Sequence, residues 1–248
     1  MPRPDTTLTV TATERLSPSM VRVHLGGPEF ASFVANSFTD MYVKLVIDTA
    51  DGPVTRTYTV RDLDAEQERL TVDFVVHGEE GAAGPWAARA TPGDTVVVRG
   101  PGGAYRPDPT ADWHLLAGDD SALPAVAAAL EALPPDAVGL AFVEVEDAAS
   151  RLPLRVPDGV RLTWVERSAA PDGTSPLVDA VRAAPWLPGE PHVFVHGEAQ
   201  AVMHGLRPYI RKERGVPAAR ASISGYWRRG RTEESFRVWK QELAAAEQ

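Results

Sequence analysis

The hydrophobic period of this chain changes once, near residue 112, and that change constrains the fold more than any other feature. Before it, apolar and polar residues alternate in six short segments: TLTVTATERL (6–15), MVRVHL (20–25), YVKLVID (42–48), VTRTYTVRDL (54–63), RLTVDFVVHG (69–78) and DTVVVRG (94–100). A period of two marks strands with unlike faces. The GGP, DGP and PGD between the segments are turn formers. Strands at this spacing predict an antiparallel barrel. A short helix, GAAGPWAARA (81–90), interrupts the last two.

After residue 112 strands and helices take turns. HLLAG (114–118), VGLAFVEV (138–145), RLTWVER (161–167), HVFVHG (192–197) and ASISGYW (221–227) have strand character. LPAVAAALEAL (123–133), PLVDAVRAA (176–184), AQAVMHGLRPYIRKE (199–213) and EESFRVWKQELAAAE (233–247) have helix character. Pro124 suits a first helical turn, and Pro208 predicts a kink or break. The alternation predicts a Rossmann-like parallel sheet with helices on both faces. The Pro- and Asp-rich RPDPTAD (106–112) carries the boundary. Residues 1–108 are expected to form the barrel and 109–248 the α/β half.

Composition excludes several chemistries. The chain has no cysteine, so it has no disulfide, thiolate nucleophile or protein-held iron–sulfur cluster. Its histidines (24, 77, 114, 192, 196, 204) are scattered. His192 and His196 share a strand, where an i, i+4 pair stands about 13 Å apart, too far for one ion. No protein-bound metal is expected. There is no apolar run of about 18 residues, so no membrane insertion is expected. The start, MPRPDTTLTV, lacks the apolar stretch of a signal peptide, and a cytoplasmic location follows as the expectation. Net charge is −9, yet residues 205–231 carry eight Arg and Lys against Glu213 alone. That stretch reads as a site for a small anion. It has no aromatic ladder and the rest of the chain is acidic, so nucleic acid is not expected.

A barrel followed by a nucleotide-type half is an architecture of flavin-dependent electron transfer, with ligands at the carboxyl ends of the parallel strands. The hexapeptide RTYTVR (56–61) fits the flavin side. Arg56 offers a cation for phosphate, Tyr58 a ring for the isoalloxazine, and Thr59 a donor for the N5 edge; Val60 continues the strand. An exposed strand with surface arginines accounts for the hexapeptide equally well. The turn Gly81-Ala82-Ala83-Gly84 opens a helix that holds Trp86. Small residues there allow backbone N–H groups to approach a pyrophosphate. His77, at the end of the preceding strand, is either a flavin neighbour or a partly buried strand-end histidine. In the second half, LLAGDDSALP (115–124) occupies the first strand–helix turn without a Gly-rich fingerprint. Asp119 and Asp120 there would cap a helix but repel phosphate. Ser121 and Gly118 are left to flank a nicotinamide or ribose, with the diphosphate elsewhere. HGEAQ (196–200) ends a later strand and is a second candidate for nucleotide contact.

The order of RTYTVR, DFVVHG (73–78), the Gly/Ala turn, GPGGAY (100–105), AGDDSALPA (117–125), GEA (197–199) and SGYWRRGRTEE (224–234) resembles the siderophore-interacting protein family. These are FAD-dependent ferric-siderophore reductases of the ferredoxin-reductase-like superfamily. The resemblance runs from about residue 6 to 245 and rests on motif order, since each motif alone is weak. It implies that Arg56, Tyr58, Thr59 and Val60, with His77, Gly81, Ala82, Ala83, Gly84 and Trp86, bind FAD. It implies that Asp119, Asp120, Ser121, Gly197, Glu198 and Ala199 face NADPH or NADH. It implies that Tyr226, Trp227, Arg228 and Arg229 border a ferric siderophore. Gly84 lacks the hydroxyl common in the family, and Met203 stands where an Arg is common. The implied reaction passes a hydride to FAD and single electrons to chelated Fe(III), with no catalytic side chain beyond the flavin. Alternatives are a flavin reductase for another acceptor, one fed by a ferredoxin-type donor, or a siderophore carrier without turnover.

Overall fold

The computed structural model describes residues 5–77, 81–171 and 174–230. The expected closing helix (233–247) and Arg231 lie outside the described residues.

Alternate apolar residues of the first half, among them Leu8, Val23, Leu25, Leu45, Leu70 and Phe74, share one fully buried core. A sheet with one apolar face hides that face and its edges together by closing on itself. The six strands are β1 (Thr6–Ser17), β2 (Met20–Gly26), β3 (Tyr42–Thr49), β4 (Gly52–Asp64), β5 (Arg69–Val75) and β6 (Thr95–Gly102). They form a closed antiparallel barrel in the order β1-β2-β5-β4-β3-β6. Helix α1 (Ala83–Arg89) lies between β5 and β6.

The second half contains β7 (Trp113–Asp119), α2 (Leu123–Glu131), β8 (Gly139–Val145), β9 (Val160–Glu166), α3 (Pro176–Ala183) and β10 (Pro191–Glu198). It continues with α4 (Gln200–Leu206), α5 (Tyr209–Glu213) and β11 (Ala221–Trp227). All neighbours in its sheet are parallel, in the order β11-β10-β7-β8-β9. The order reverses direction between β7 and β10, which makes that gap the switch point. β7 is buried along its whole length, as a central parallel strand must be. Leu116, Val143 and Phe194 pack with α2 on one face. Leu115, Phe142 and Val195 pack with α3, α4 and α5 on the other.

Pro208 does not break its helix. Arg207 and Pro208 keep helical dihedrals between α4 and α5. Both flanking segments are wound widely, with Arg207 N–H donating to Val202 O and Arg214 N–H to Tyr209 O. A π-type register tolerates a residue that lacks an N–H and crowds the carbonyl four back.

The two halves are locked together. Met20 of β2 belongs to the core around α2. Ser19 Oγ bonds Ser150 Oγ at 3.3 Å. Asp40 accepts the N–H groups of Ala104 and Tyr105, each at 2.8 Å, and so fixes the chain as it leaves β6. Among the described residues, no helix is long and apolar enough to cross a membrane. No group of three or more His, Asp or Glu among them could hold a metal.

Candidate functional site

The two faces of RTYTVR meet different surroundings, and only Thr57 is exposed, which explains why neither is a clean apolar stripe. In the β3–β4 pairing Arg56 lies opposite Leu45 and Tyr58 opposite Val43, so both share the face of the barrel core. Tyr58 is half-buried, its ring 4.4 Å from that of Phe74 and tilted 37° to it. Phe74 in turn lies 5.6 Å from Trp86. A row of three aromatic rings thus joins β4, β5 and α1. Sequence reasoning named Tyr58 and Trp86 but missed Phe74, the ring between them; its alternation within DFVVHG was the available signal. Val60 is buried in the core. Arg56 donates to Thr55 O at 3.1 Å.

The other face turns toward the α/β half. Thr59 is buried and hydrogen-bonded to Tyr226. A β-bulge falls at Arg61, between the pairs Val60–Val72 and Asp62–Thr71. Bulges re-aim a side chain, and Arg61 reaches across to Glu131 of α2 in a two-pronged ion pair at 2.6 and 2.9 Å. Arg61 is therefore a fastener between the halves.

The turn at 81–84 is open. Gly81 has φ +76° and a side chain there would meet nothing within 4 Å. Ala82 caps α1 with no side-chain hydrogen bond. Ala83 is buried, and a Cβ on Gly84 would lie 3.1 Å from Val75 O, so the helix start presses against β5. His77 is exposed beyond the end of β5. A half-buried phenol beside an uncapped helix start with free space is a cradle whose residues fit a flavin and its pyrophosphate.

The carboxyl ends of the sheet are filled from within. Asp119 is 2% exposed. Its Oδ1 accepts Ser121 N–H at 3.0 Å, Ser121 Oγ–H at 2.5 Å and Ala122 N–H at 3.3 Å. Its Oδ2 accepts Glu198 N–H and Trp227 Nε1–H, each at 2.7 Å. Burial and the neighbouring Asp120 push its carboxyl up to about 6, against the pull of Ser121, Trp227 and the Glu198 N–H. Asp120 pairs with Arg167 at 2.8 Å, and Arg167 also holds Glu144 (2.9 Å) and Glu146 (3.2 Å). Glu144 accepts Leu177 N–H at the start of α3. Arg167, absent from the sequence expectation, is the cation that makes this acidic edge tenable; a lone Arg after a strand gives little signal.

Gly197 and the fully buried Ala199 end β10. Glu198 accepts Ala201 N–H at 2.9 Å and Arg229 N–H at 3.2 Å. Tyr226 meets the His196 ring edge-on at 4.9 Å, and His196 stacks on Phe194 at 3.9 Å. Burial raises the Tyr226 phenol well above its ordinary range. Arg228 is half-buried and Arg229 exposed. The structure thus brings Ser121, Gly197, Glu198 and Trp227 around the Asp119 carboxylate, and Tyr226 against β4.

Three cations of the basic stretch are engaged within the α/β half. Arg211 donates to three backbone carbonyls, of Val216, Ala218 and Ala221. Arg214 bonds the Tyr209 hydroxyl and lies over Trp186 and Tyr209. Arg220 pairs with Glu190. These cations hold the α/β half together.

A flavin-type antiparallel barrel followed by a parallel sheet is the ferredoxin-reductase-like fold. The ferredoxin reductase of carbazole 1,9a-dioxygenase shares it at TM-score 0.73 and 17% identity, over 90% of this chain and 68% of that one. Residues 9–53 and 47–105 match the model of the siderophore-interacting FAD-binding domain, and residues 111–230 that of the siderophore-interacting protein. The chain belongs to the siderophore-interacting protein family. An uncharacterised protein of Mycobacterium tuberculosis (strain ATCC 25618 / H37Rv) is 54% identical over 99% of this chain and 98% of its own length. The ferric vibriobactin reductase ViuB of Vibrio cholerae (strain ATCC 39315 / El Tor Inaba N16961) is 38% identical over 74% of this chain and 68% of its own. A siderophore utilization protein from T. fusca superposes at TM-score 0.84 with 39% identity, over 94% of this chain and 95% of that one.

Proposed function

We propose that this protein is an FAD-dependent ferric-siderophore reductase that takes its electrons from NADH or NADPH and acts in the cytoplasm. The observation that carries the reading is the uncapped start of α1 beside the Tyr58–Phe74–Trp86 row. Family membership and the likeness to a ferric vibriobactin reductase support it. The functional division falls at 108/109, with FAD held by the barrel and electrons arriving through the α/β half.

Bound FAD would accept two electrons from a nicotinamide and release them singly, as a one-electron Fe(III) acceptor requires. The protein supplies position and charge. Arg56 offers its guanidinium to phosphate, Tyr58 its ring face, and Thr59 its hydroxyl and N–H to the flavin edge, with Val60 packing the strand beneath. Gly81, Ala82, Ala83, Gly84 and Trp86 supply the close, donor-rich turn, with His77 at its rim. Asp119, Asp120, Ser121, Gly197, Glu198 and Ala199 form the floor on the nucleotide side. The Thr59–Tyr226 bond seats the end of β11 against the flavin strand. Trp227, Arg228 and Arg229 then border the mouth, where cations draw an anionic chelate. The ferric chelate is substrate. Hard oxygen chelators hold Fe(II) less well than Fe(III), so reduction releases the iron without a protein ligand.

The test is anaerobic mixing of FAD-loaded protein with NADH or NADPH, then with a ferric siderophore, while a chelator traps Fe(II). Bleaching of the flavin and Fe(II) formation are expected. Protein that gains no flavin spectrum with added FAD sinks the reading. Bleaching by a reduced ferredoxin but by neither nucleotide would move the donor to a protein.

A further inference from the structure

In an open α/β sheet the first strand–helix turn at the switch point takes the pyrophosphate of a dinucleotide, because helix N–H groups point at it. Here the β7–α2 turn stands at that place, and two of its backbone donors are already taken. The N–H groups of Ser121 and Ala122 both donate to Asp119 Oδ1. The second oxygen is used by the ends of the next strands, through Glu198 N–H of β10 and Trp227 Nε1–H of β11. Two glycines make room for this. Gly197 has φ +144°, and a Cβ on it would lie 2.8 Å from the Asp119 carboxyl carbon. A Cβ on Gly118 would lie 2.7 Å from Ala122 Cβ and 2.9 Å from His196 O. The motifs AGDDSA, HGEA and GYW therefore meet at a single buried carboxylate.

We propose that Asp119 is a built-in anion that closes the β7–α2 turn to the pyrophosphate of a nicotinamide dinucleotide and spends its charge holding Glu198 and Trp227 in place. The inference rests on the reading that the α/β half receives electrons from such a nucleotide. A second anion brought against this buried carboxylate meets repulsion in a medium that screens poorly. Asp120 adds a further negative charge, and its partner Arg167 is shared with Glu144 and Glu146. Every group bonded to the Asp119 carboxyl donates to it, as a carboxylate requires. A donor nucleotide then engages this edge only through its nicotinamide end and binds loosely.

The test compares the FAD-loaded wild type with Asp119→Ser and Asp119→Asn. Calorimetry with inorganic pyrophosphate, NADH and NADPH gives affinities. NMR reports the Trp227 indole N–H, assigned by its loss in Trp227→Phe. Removing the anion should tighten pyrophosphate and nucleotide by about tenfold or more in Asp119→Ser, less in Asp119→Asn, and shift the indole resonance in both. Weaker nucleotide binding in either variant would make Asp119 a nucleotide contact and overturn the proposal; so would an unmoved indole. The wild type alone also decides: pyrophosphate binding well below about 1 mM with shifted Ser121 and Ala122 amides overturns it. Reduction of a ferric chelate by chemically reduced protein needs no nucleotide. Its failure would count against the reductase reading and leave the closed turn standing.

Discussion

The protein contains two strand-to-helix turns built from small residues, and they have opposite contents. The turn at 81–84 leads into α1 with no side-chain cap and with open space at Gly81. The turn at 118–122 leads into α2 with Asp119 bonded to its N–H groups. Both precede a helix start, where free backbone N–H groups favour an anion. What separates them is one carboxylate. A helix start is available to a ligand only when the chain has not supplied its own anion, and the same fold can offer one such turn and withhold the other.

Four changes break or sharpen this contrast. The largest effect is expected from Gly197→Ala, which forces a left-handed backbone and drives a methyl toward the Asp119 carboxyl. It should cost about 3 kcal/mol or more in urea unfolding. Next is pH. The Asp119 carboxyl lies raised near 6 in the fold against 3.8 as its ordinary value, so folding takes up a proton between those limits. Its contribution to stability grows as pH falls from about 6 to 4 and is lost as pH rises again, a span of roughly 2–3 kcal/mol. His114 works the other way. It is 3% exposed, and burial pulls its imidazole down to about 4, so its contribution is lost on acidification from 6.5. Asp119→Asn keeps the histidine effect and lacks the opposing one. Its Tm should fall more steeply than that of the wild type between pH 6.5 and 4.5.

Ala82→Asp would give the open turn its own anion. FAD affinity should drop about tenfold or more while Tm stays the same or rises slightly, because an aspartate caps a helix well. Unchanged flavin content would move the pyrophosphate away from α1. The smallest effect belongs to Arg61→Ala. It should lose roughly 1 kcal/mol or less of stability with no change in bound flavin, since Arg61 is committed to Glu131. A fall in flavin content would place Arg61 at the cofactor site.

Much of the fold was legible in the sequence. The strand segments of both halves fall within a few residues of their observed bounds, because a period of two and a run of buried β-formers are local patterns. Of the kink or break expected at Pro208, the break does not occur, and the wide winding that tolerates the proline shows only in the backbone hydrogen bonds. The site was legible as segments. RTYTVR, the Gly/Ala turn, AGDDSA, HGEA and GYW each stood out, yet their partners did not. Phe74 between Tyr58 and Trp86, and Arg167 under Asp120, are single residues in ordinary strand contexts.

By itself the sequence determined the change of period, the absence of cysteine chemistry and the list of unusual turns. These follow from local propensity and composition, which act over a few residues. The tertiary structure decided what those turns touch. It set one face of RTYTVR on the barrel core and the other against Tyr226 and α2. It also drew three distant motifs onto Asp119, filling one helix start and leaving the other open. Such outcomes depend on which groups meet across 79 and 108 residues of chain, as Asp119 meets the Glu198 N–H and the Trp227 indole. Only the assembly of β7, β10 and β11 into one sheet brings those groups within hydrogen-bond reach.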